Sequence, residues 1–515
     1  MAAPNLVPEL PYQPKLQYDQ HISGLNTMYK PVGAGEFRIL NVEGHDSQGC
    51  LVVSLHCQPL QSSLPFAAIS YTWNEKDRLW YGEYDARPKP IRINGEMALV
   101  SDKVANILSL ALKHGRYLLW IDTLCINQSD LNEKSEQVSR MGDIYYQATE
   151  VLAMIGSPSE ATDIVLDSAN EFAKDPSQNF TPAVLAKLLK FINGGYWTRA
   201  WILQELTMAK SILVCCGTRT ADLRSIAELG QNMENSFQNT ESLSEMAEYG
   251  SYVVTALSGH IKQQVLYSAE DLASLGHGRK ETLLEVLENS KQYYACVDPR
   301  DMLYSRLALA SDATMLIPYP DYTIRVEELY KRFATNCIML TKSLKVITFA
   351  NSTTMNLPSW VPDWSFKQRP WDLTGEFTKL SEEIAQLCWD EKGLPRVSQC
   401  RTELMVQGRI VGAVSKRDWL ETIASGTLSL SKFSQAYHRS DIHRKGDLVC
   451  VLRSCPLLVH LRSVEDHFVV VGRHVIGRTY GAEEGLKVDE TEGIVYSFAS
   501  FEDTQRLPEI IFKIR

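Results

Sequence analysis

Between residues 66 and 155 three short apolar runs alternate with two amphipathic helical stretches, and this alternation narrows the choice of fold more than any other feature of the chain. Phe66–Tyr71 is an apolar run bounded by Pro65 and a polar loop, which suits a buried strand. Ser101 is placed to cap a helix in which Val104, Ile107, Leu108 and Ala111 fall at i, i+3, i+4 and i+7, with Gly115 to close it. Tyr117–Ile121 is the next strand and ends in Asp122. A polar loop leads to a helix with Val138, Met141, Tyr145 and Ala148 on one face, and Val151–Ile155 is strand again. Strand, helix, strand, helix, strand predicts an α/β domain built on a parallel sheet, whose ligands sit at the carboxyl ends of the strands.

On either side the pattern changes. Residues 1–35 form an expected extended arm, because Pro4, Pro8, Pro11 and Pro14 forbid a helix. Phe37–Leu40 and Cys50–Leu55 are strand-like, and Pro90–Val100 reads as a hairpin with Asn94-Gly95 supplying the positive-φ turn. From about 222 to 350 the pattern is helical, with a polar insertion near 230–265. After Leu357–Trp364 short strands recur, at 404–412, 447–452, 457–462 and 467–472, as in a small β-barrel or sandwich. The expected organisation is an arm at 1–35, an α/β domain at 36–220, a mainly helical region at 221–395 and a β-rich domain at 396–515.

Charge and composition exclude several function classes. Lys and Arg number 52 against 62 Asp and Glu, so the formal charge is 52 − 62 = −10, which opposes broad binding of nucleic acid or anionic lipid. No apolar run approaches the ~18 residues that span a bilayer. The first residues lack a basic segment followed by an apolar stretch, so secretion is not expected. Eleven scattered cysteines make no disulfide framework, and a reduced, cytoplasmic setting follows. Standard motifs mostly fail. Ser274–Lys280 is Gly-rich and basic without phosphate-loop spacing, no GxSxG elbow exists, and Cys450, Cys455, His460, His467 and His474 lack a CxxC pair, so no metal site is expected. Cys215-Cys216 ends an apolar strand and reads as buried and inert.

What remains is a concentration of unusual residues at predicted strand ends. Ser70-Tyr71-Thr72-Trp73-Asn74 follows the first strand, Asp122–Gln128 the second, and Trp197–Glu205 opens a helix before the strand at 211–214. In a parallel sheet all three converge on one edge. Tyr71, Trp73, Asp122, Trp201 and Glu205 are therefore the candidate site residues, an aromatic-walled pocket with few carboxylates. Each has a plainer alternative: the aromatics as core, Asp122 as a cap of the following loop, and Glu205 as a structural carboxylate paired with Arg199.

These blocks resemble the fungal heterokaryon-incompatibility domain. Ala68–Trp73 is similar to that family's opening block, Leu119–Gln128 to its signature, and Tyr196–Glu205 with Ala209 and Cys216-Gly217 to its third block. Asn74 and Met154 depart from it, where the family usually has Gly and often has Trp. Segments further on, at 298–305, 357–365 and 446–450, resemble stretches seen downstream in such proteins. The family is distantly related to TIR domains, which are flavodoxin-like, and some of which cleave NAD at the nicotinamide–ribose bond with one glutamate. In plant-type TIR sequences that glutamate lies four residues after a Trp, and Trp201-Ile-Leu-Gln-Glu205 has the same spacing with Ile202 where Cys stands. The resemblance thus implies Glu205 as catalytic, Tyr71, Trp73, Asp122 and Trp201 as substrate-binding, and NAD as substrate with no bound cofactor. It also implies self-association through the α/β domain, an unidentified protein partner, and a role in non-self recognition or cell-death signalling. A non-catalytic signalling scaffold and an accessory protein of a secondary-metabolite cluster are the alternatives.

Overall fold

The computed structural model describes residues 28–72, 87–192, 194–238, 281–290, 296–350, 355–365, 395–416, 447–456, 458–474, 494–498 and 510–515. Trp73, Asn74, the loop at 274–280, most of the arm at 1–35 and most of the stretch at 230–265 lie outside them. The chain divides into two compact units. One comprises residues 1–281 with 305–311 and 319–322, the other 282–304, 312–318 and 323–515.

The first unit is built on a nine-stranded sheet. Its strands are β1 (Glu36–His45), β2 (Leu51–Pro59), β3 (Ala67–Tyr71), β4 (Lys89–Ile93), β5 (Glu96–Val100), β6 (Leu118–Trp120), β7 (Glu150–Gly156), β8 (Ile212–Cys216) and β9 (Arg219–Asp222), in the order β5-β4-β2-β1-β6-β3-β7-β8-β9. At its centre β6, β3, β7 and β8 run parallel. All five residues of β3 are buried, as a strand covered on both faces requires. The helices between them follow the expected periodicities. Ser101 caps α1 (Asp102–Lys113) by accepting from Val104 N–H, and the buried face carries Val104, Ile107, Leu108 and Ala111. A short turn, α2 (Asp122–Cys125), leads to α3 (Leu131–Gln147), which buries Val138, Met141, Ile144 and Tyr145. Next come α4 (Glu160–Lys174), α5 (Pro182–Ile192), α6 (Ile202–Thr207) and α7 (Leu223–Gln238).

The sheet is mixed rather than purely parallel, which corrects the expectation. β1 and β2 are joined by five residues in which Asp46 Oδ1 accepts from Gln48 and Cys50 N–H, both at 2.9 Å, and so short a connection permits only antiparallel pairing. That hairpin joins through β1 to β6, again antiparallel. The β4–β5 hairpin turns at Asn94 and Gly95, with φ of 51° and 87°, the conformation that Asn-Gly favours.

In the second unit the helices α8 (Leu283–Ser290), α9 (Asp301–Tyr304), α10 (Ala313–Leu316) and α11 (Val326–Thr341) precede a smaller sheet. Its strands are β10 (Arg396–Val397), β11 (Leu404–Lys416), β12 (Leu448–Leu452), β13 (Leu458–Val464), β14 (His467–His474), β15 (Ile494–Phe498) and β16 (Ile510–Ile514). β16 pairs both β14 and β11, so the sheet closes on itself around Val406, Leu452, Val459, Leu461 and Phe512, all buried. Among the described residues no helix is long and apolar enough to cross a membrane.

Two glycines of the first unit separate backbone strain from overlap. Gly115 ends α1 at φ +73° with open space where a methyl group would stand, whereas Gly217 turns β8 into β9 at φ +59° with Pro158 Cγ only 2.4 Å from the position of a Cβ. Gly115→Ala should cost about 1–2 kcal/mol of left-handed strain, and Gly217→Ala a further ~1–3 kcal/mol from the overlap. Urea denaturation of the two variants checks this order, and equal losses would contradict it.

Candidate functional site

Parallel pairing of β3 with β6 puts the ends of both strands on one edge of the sheet, and the residues that follow them meet there. Tyr71 is the last residue of β3, and Asp122 stands two residues past the end of β6. The Tyr71 hydroxyl is hydrogen-bonded to Thr123 Oγ1. Asp122 Oδ1 accepts from Thr123 N–H at 2.7 Å and from Thr123 Oγ1 at 3.2 Å. From the other side the segment 196–205 enters. Trp201 precedes α6, its carbonyl accepts from Glu205 N–H at 3.0 Å, and Glu205 thereby projects from the first turn of that helix.

Glu205 is 1% exposed and its carboxylate has two hydrogen-bonding partners, Ser70 and Arg199. Ser70 Oγ donates to its Oε2, and the Ser70 hydroxyl is in turn 2.7 Å from Tyr196 OH. Arg199 spans the carboxylate with both terminal nitrogens, Nη1 to Oε2 and Nη2 to Oε1, each at 3.4 Å. Tyr145 of α3 closes the cluster from beneath, its hydroxyl donating to Ile69 O at 3.0 Å. Trp120 packs edge-on against Tyr145, with ring centroids 5.3 Å apart.

Burial sets the electrostatics. It raises the pKa of Glu205, while Arg199 and Ser70 act in the opposite direction. Asp122 is pushed up to about 6, first by burial and then by the charge of Glu205, against the lowering pull of Arg199 and Thr123. Burial works against the charge of Arg199, but Glu205 and then Asp122 outweigh it and raise its pKa. One guanidinium therefore serves two carboxylates. Burial likewise raises the hydroxyls of Tyr71 and Tyr145.

Of the five predicted residues the structure brings three together: Tyr71, Asp122 and Glu205. Trp201 is half-buried and reaches Glu205 through its backbone carbonyl, and Trp73 lies outside the described residues. The sequence pattern points to an open pocket. Instead, in the described state Glu205 is closed over by Arg199, whose side chain is 16% exposed. Ser70, Thr123, Tyr145 and Tyr196 join the cluster without having been candidates, although Ser70, Thr123 and Tyr196 belong to the family-like blocks. Membership of those blocks is the sequence signal that could have found these three, and for Tyr145 it is a hydroxyl on the apolar face of a helix. Trp197 is core, stacked on Phe191 and Tyr196, and Cys215 is buried with its thiol pushed up to about 12.

Residues 66–205 match the model of the family described as Heterokaryon incompatibility protein (HET). The chain carries a heterokaryon-incompatibility domain. It is also 24% identical over 391 residues to "Heterokaryon incompatibility protein 6, OR allele" of Neurospora crassa, in an alignment covering 61% of this chain and 56% of that relative. The chain thus spans little more than half of the length of the curated relative it matches. No solved structure matches it. Every member of the buried cluster lies within the HET domain as matched.

The cluster makes a pH prediction. Because the carboxyl of Asp122 titrates near 6 when folded against an ordinary value of 3.8, the native state holds this proton more tightly than the unfolded chain. The stability it contributes is complete below pH 3.8 and is lost as pH rises through about 6. Asp122→Asn removes that loss. Relative to wild type, the variant should gain of order 3 kcal/mol in unfolding free energy between pH 4 and pH 7, at about 1.4 kcal/mol per unit. Denaturant titrations of both proteins at the two pH values measure it.

Proposed function

We propose that this chain acts in fungal non-self recognition of the heterokaryon-incompatibility kind, with cell death as its output, and that its α/β unit delivers that output by hydrolysing NAD at the nicotinamide–ribose bond. The observation that carries the reading is the convergence of Glu205 and Asp122 beyond the carboxyl ends of β3 and β6. In the central parallel strands β3 comes first in the chain, the next strand lies on one side of it and the third on the other. That reversal is where ligands of open α/β sheets bind. Cleavage of a ribosyl bond passes through an oxocarbenium-like state, and a carboxylate fixed beside the ribose stabilises it. Trp201 sets the helix start from which Glu205 projects, in the same four-residue spacing as the TIR-type glutamate. The arrangement described is then a resting one, in which Arg199 covers Glu205 until substrate displaces it.

A second reading, a non-catalytic module signalling through self-association and a protein partner, is favoured by the burial of Glu205 in its pair with Arg199. One substitution separates the two. Glu205→Gln keeps size and hydrogen bonding, and Arg199 retains Asp122 as a counter-charge, so the fold should survive. Loss of one such electrostatic contact typically costs about 10²–10³ in rate. Purified protein incubated with NAD should release nicotinamide, the variant should not do so measurably, and cell killing on expression should fall with it. A folded Glu205→Gln protein that kills at the wild-type level decides for the module.

A further inference from the structure

We propose that Asp122 is a second catalytic residue, the general base that takes a proton from the water attacking the ribose, while Glu205 is reserved for the positive charge. The inference rests on the hydrolytic reading above and assigns the half of the reaction that reading leaves unassigned.

The two neighbouring carboxylates are held very differently. Glu205 receives the Ser70 hydroxyl and both terminal nitrogens of Arg199, and is 1% exposed. Such a group is tied to its partners and screened from water, with burial raising its pKa against the pull of Arg199 and Ser70. It suits a developing cation and is a poor acceptor for a proton from solvent. Asp122 is only half-buried, its Oδ1 is oriented by Thr123, and it belongs to the turn that leaves the sheet rather than to the helix beneath Arg199. The groups that face it are Tyr71 from β3, Tyr145 from α3, Thr123 and Cys125 from its own turn, and Arg199 and Glu205 from the segment entering α6. Its carboxyl, pushed up to about 6 by burial and by Glu205, is mostly ionised at neutral pH yet basic enough to accept a proton. A base poised near the working pH is the most effective one. Two carboxylates held by different partners can divide the work of one reaction between them.

The step balances. The bond between ribose C1′ and the nicotinamide nitrogen breaks with its electron pair going to the ring, which leaves as neutral nicotinamide. The oxygen of water bonds to C1′, Asp122 takes the released proton, and ADP-ribose results. No oxidant or second substrate enters.

A pyridine base separates the two roles, because its nitrogen attacks C1′ with a lone pair and has no proton to lose. Exchange of nicotinamide for 3-acetylpyridine therefore needs Glu205 and not Asp122, whereas hydrolysis needs both. With full-length protein and NAD, Asp122→Asn should lower hydrolysis by about 10²–10⁴-fold and leave exchange within a few-fold. Glu205→Gln should lose both. In wild type, hydrolysis should decline below about pH 6 while exchange does not, a comparison that needs no variant to fold. A folded Asp122→Asn protein that hydrolyses NAD at the wild-type rate, or that loses exchange and hydrolysis equally, overturns the assignment with the hydrolytic reading intact. Parallel pH profiles for the two wild-type reactions do the same. A wild-type protein silent in both reactions overturns the hydrolytic reading and the assignment together.

Discussion

One guanidinium held between two carboxylates organises the first unit. Arg199 meets Glu205 through both terminal nitrogens and also answers the charge of Asp122, with Glu205 buried and Arg199 and Asp122 half-buried. Burying a charge is expensive, and replacing a buried pair with apolar side chains is often neutral or stabilising, so its presence is weak evidence for stability. It is stronger evidence for position. The four segments that supply the cluster, at 70–71, 122–123, 145 and 196–205, are separated in sequence, and no apolar contact would fix their polar groups in this arrangement. Packing selects approximate neighbours, whereas charged hydrogen bonds select geometry.

A second buried cation holds the frame behind the site. Arg38 on β1 is 2% exposed, donates to Cys125 O at 3.2 Å, and pairs with both oxygens of Glu133, Nη2 to Oε2 at 2.9 Å. Glu133 also accepts from Asn127 N–H at 2.7 Å. Tyr29 lies under the guanidinium, 4.5 Å from ring centroid to Cζ, and its hydroxyl donates to Leu124 O at 3.1 Å. The turn that begins with Asp122 is thus gripped by a planar cation whose donors fit carbonyl and carboxylate together, which a lysine could not match. Lys103 of α1 donates to Thr72 O, one residue past the end of β3, at 2.6 Å. Both strand ends that feed the site are therefore pinned through their backbone carbonyls, and the side chains of Tyr71 and Asp122 are left for the cluster.

This division explains what could be read from the chain. Val104, Ile107, Leu108 and Ala111 announce α1 because burial of one helix face imposes a period, and β3 announces itself because a strand covered on both faces must be apolar throughout. Asn94-Gly95 announces a hairpin because few residue pairs accept that turn. Pairing direction carries no such mark. Phe37–Leu40 reads the same whether its neighbour is parallel or antiparallel, and only the five-residue connection to β2 decides, so the mixed character of the sheet stays hidden. Ser70 is legible as part of a motif but not as a ligand of Glu205, because a contact between residues 135 apart in sequence leaves no local trace. Arg199 is legible as a partner for Glu205 from its spacing of six residues. That the same guanidinium also answers Asp122 depends on β3 and β6 being adjacent, which spacing does not encode.

The family match covers the site but not the whole of the sheet that supports it. It begins at Phe66, one residue before the strand that supplies Ser70 and Tyr71, and it ends on Glu205 itself. The sheet continues past both limits, with β1 and β2 before the match and β8 and β9 after it. The limits enclose the central strands β3, β6 and β7 and the β4–β5 hairpin together with Ser70, Tyr71, Asp122, Thr123, Tyr145, Tyr196, Arg199 and Glu205, and leave β1, β2, β8 and β9 outside. Arg38 and Tyr29, which grip the turn from behind, also fall outside. The polar cluster thus lies wholly within the heterokaryon-incompatibility match, while β1, whose buried arginine grips the turn that begins with Asp122, lies before it.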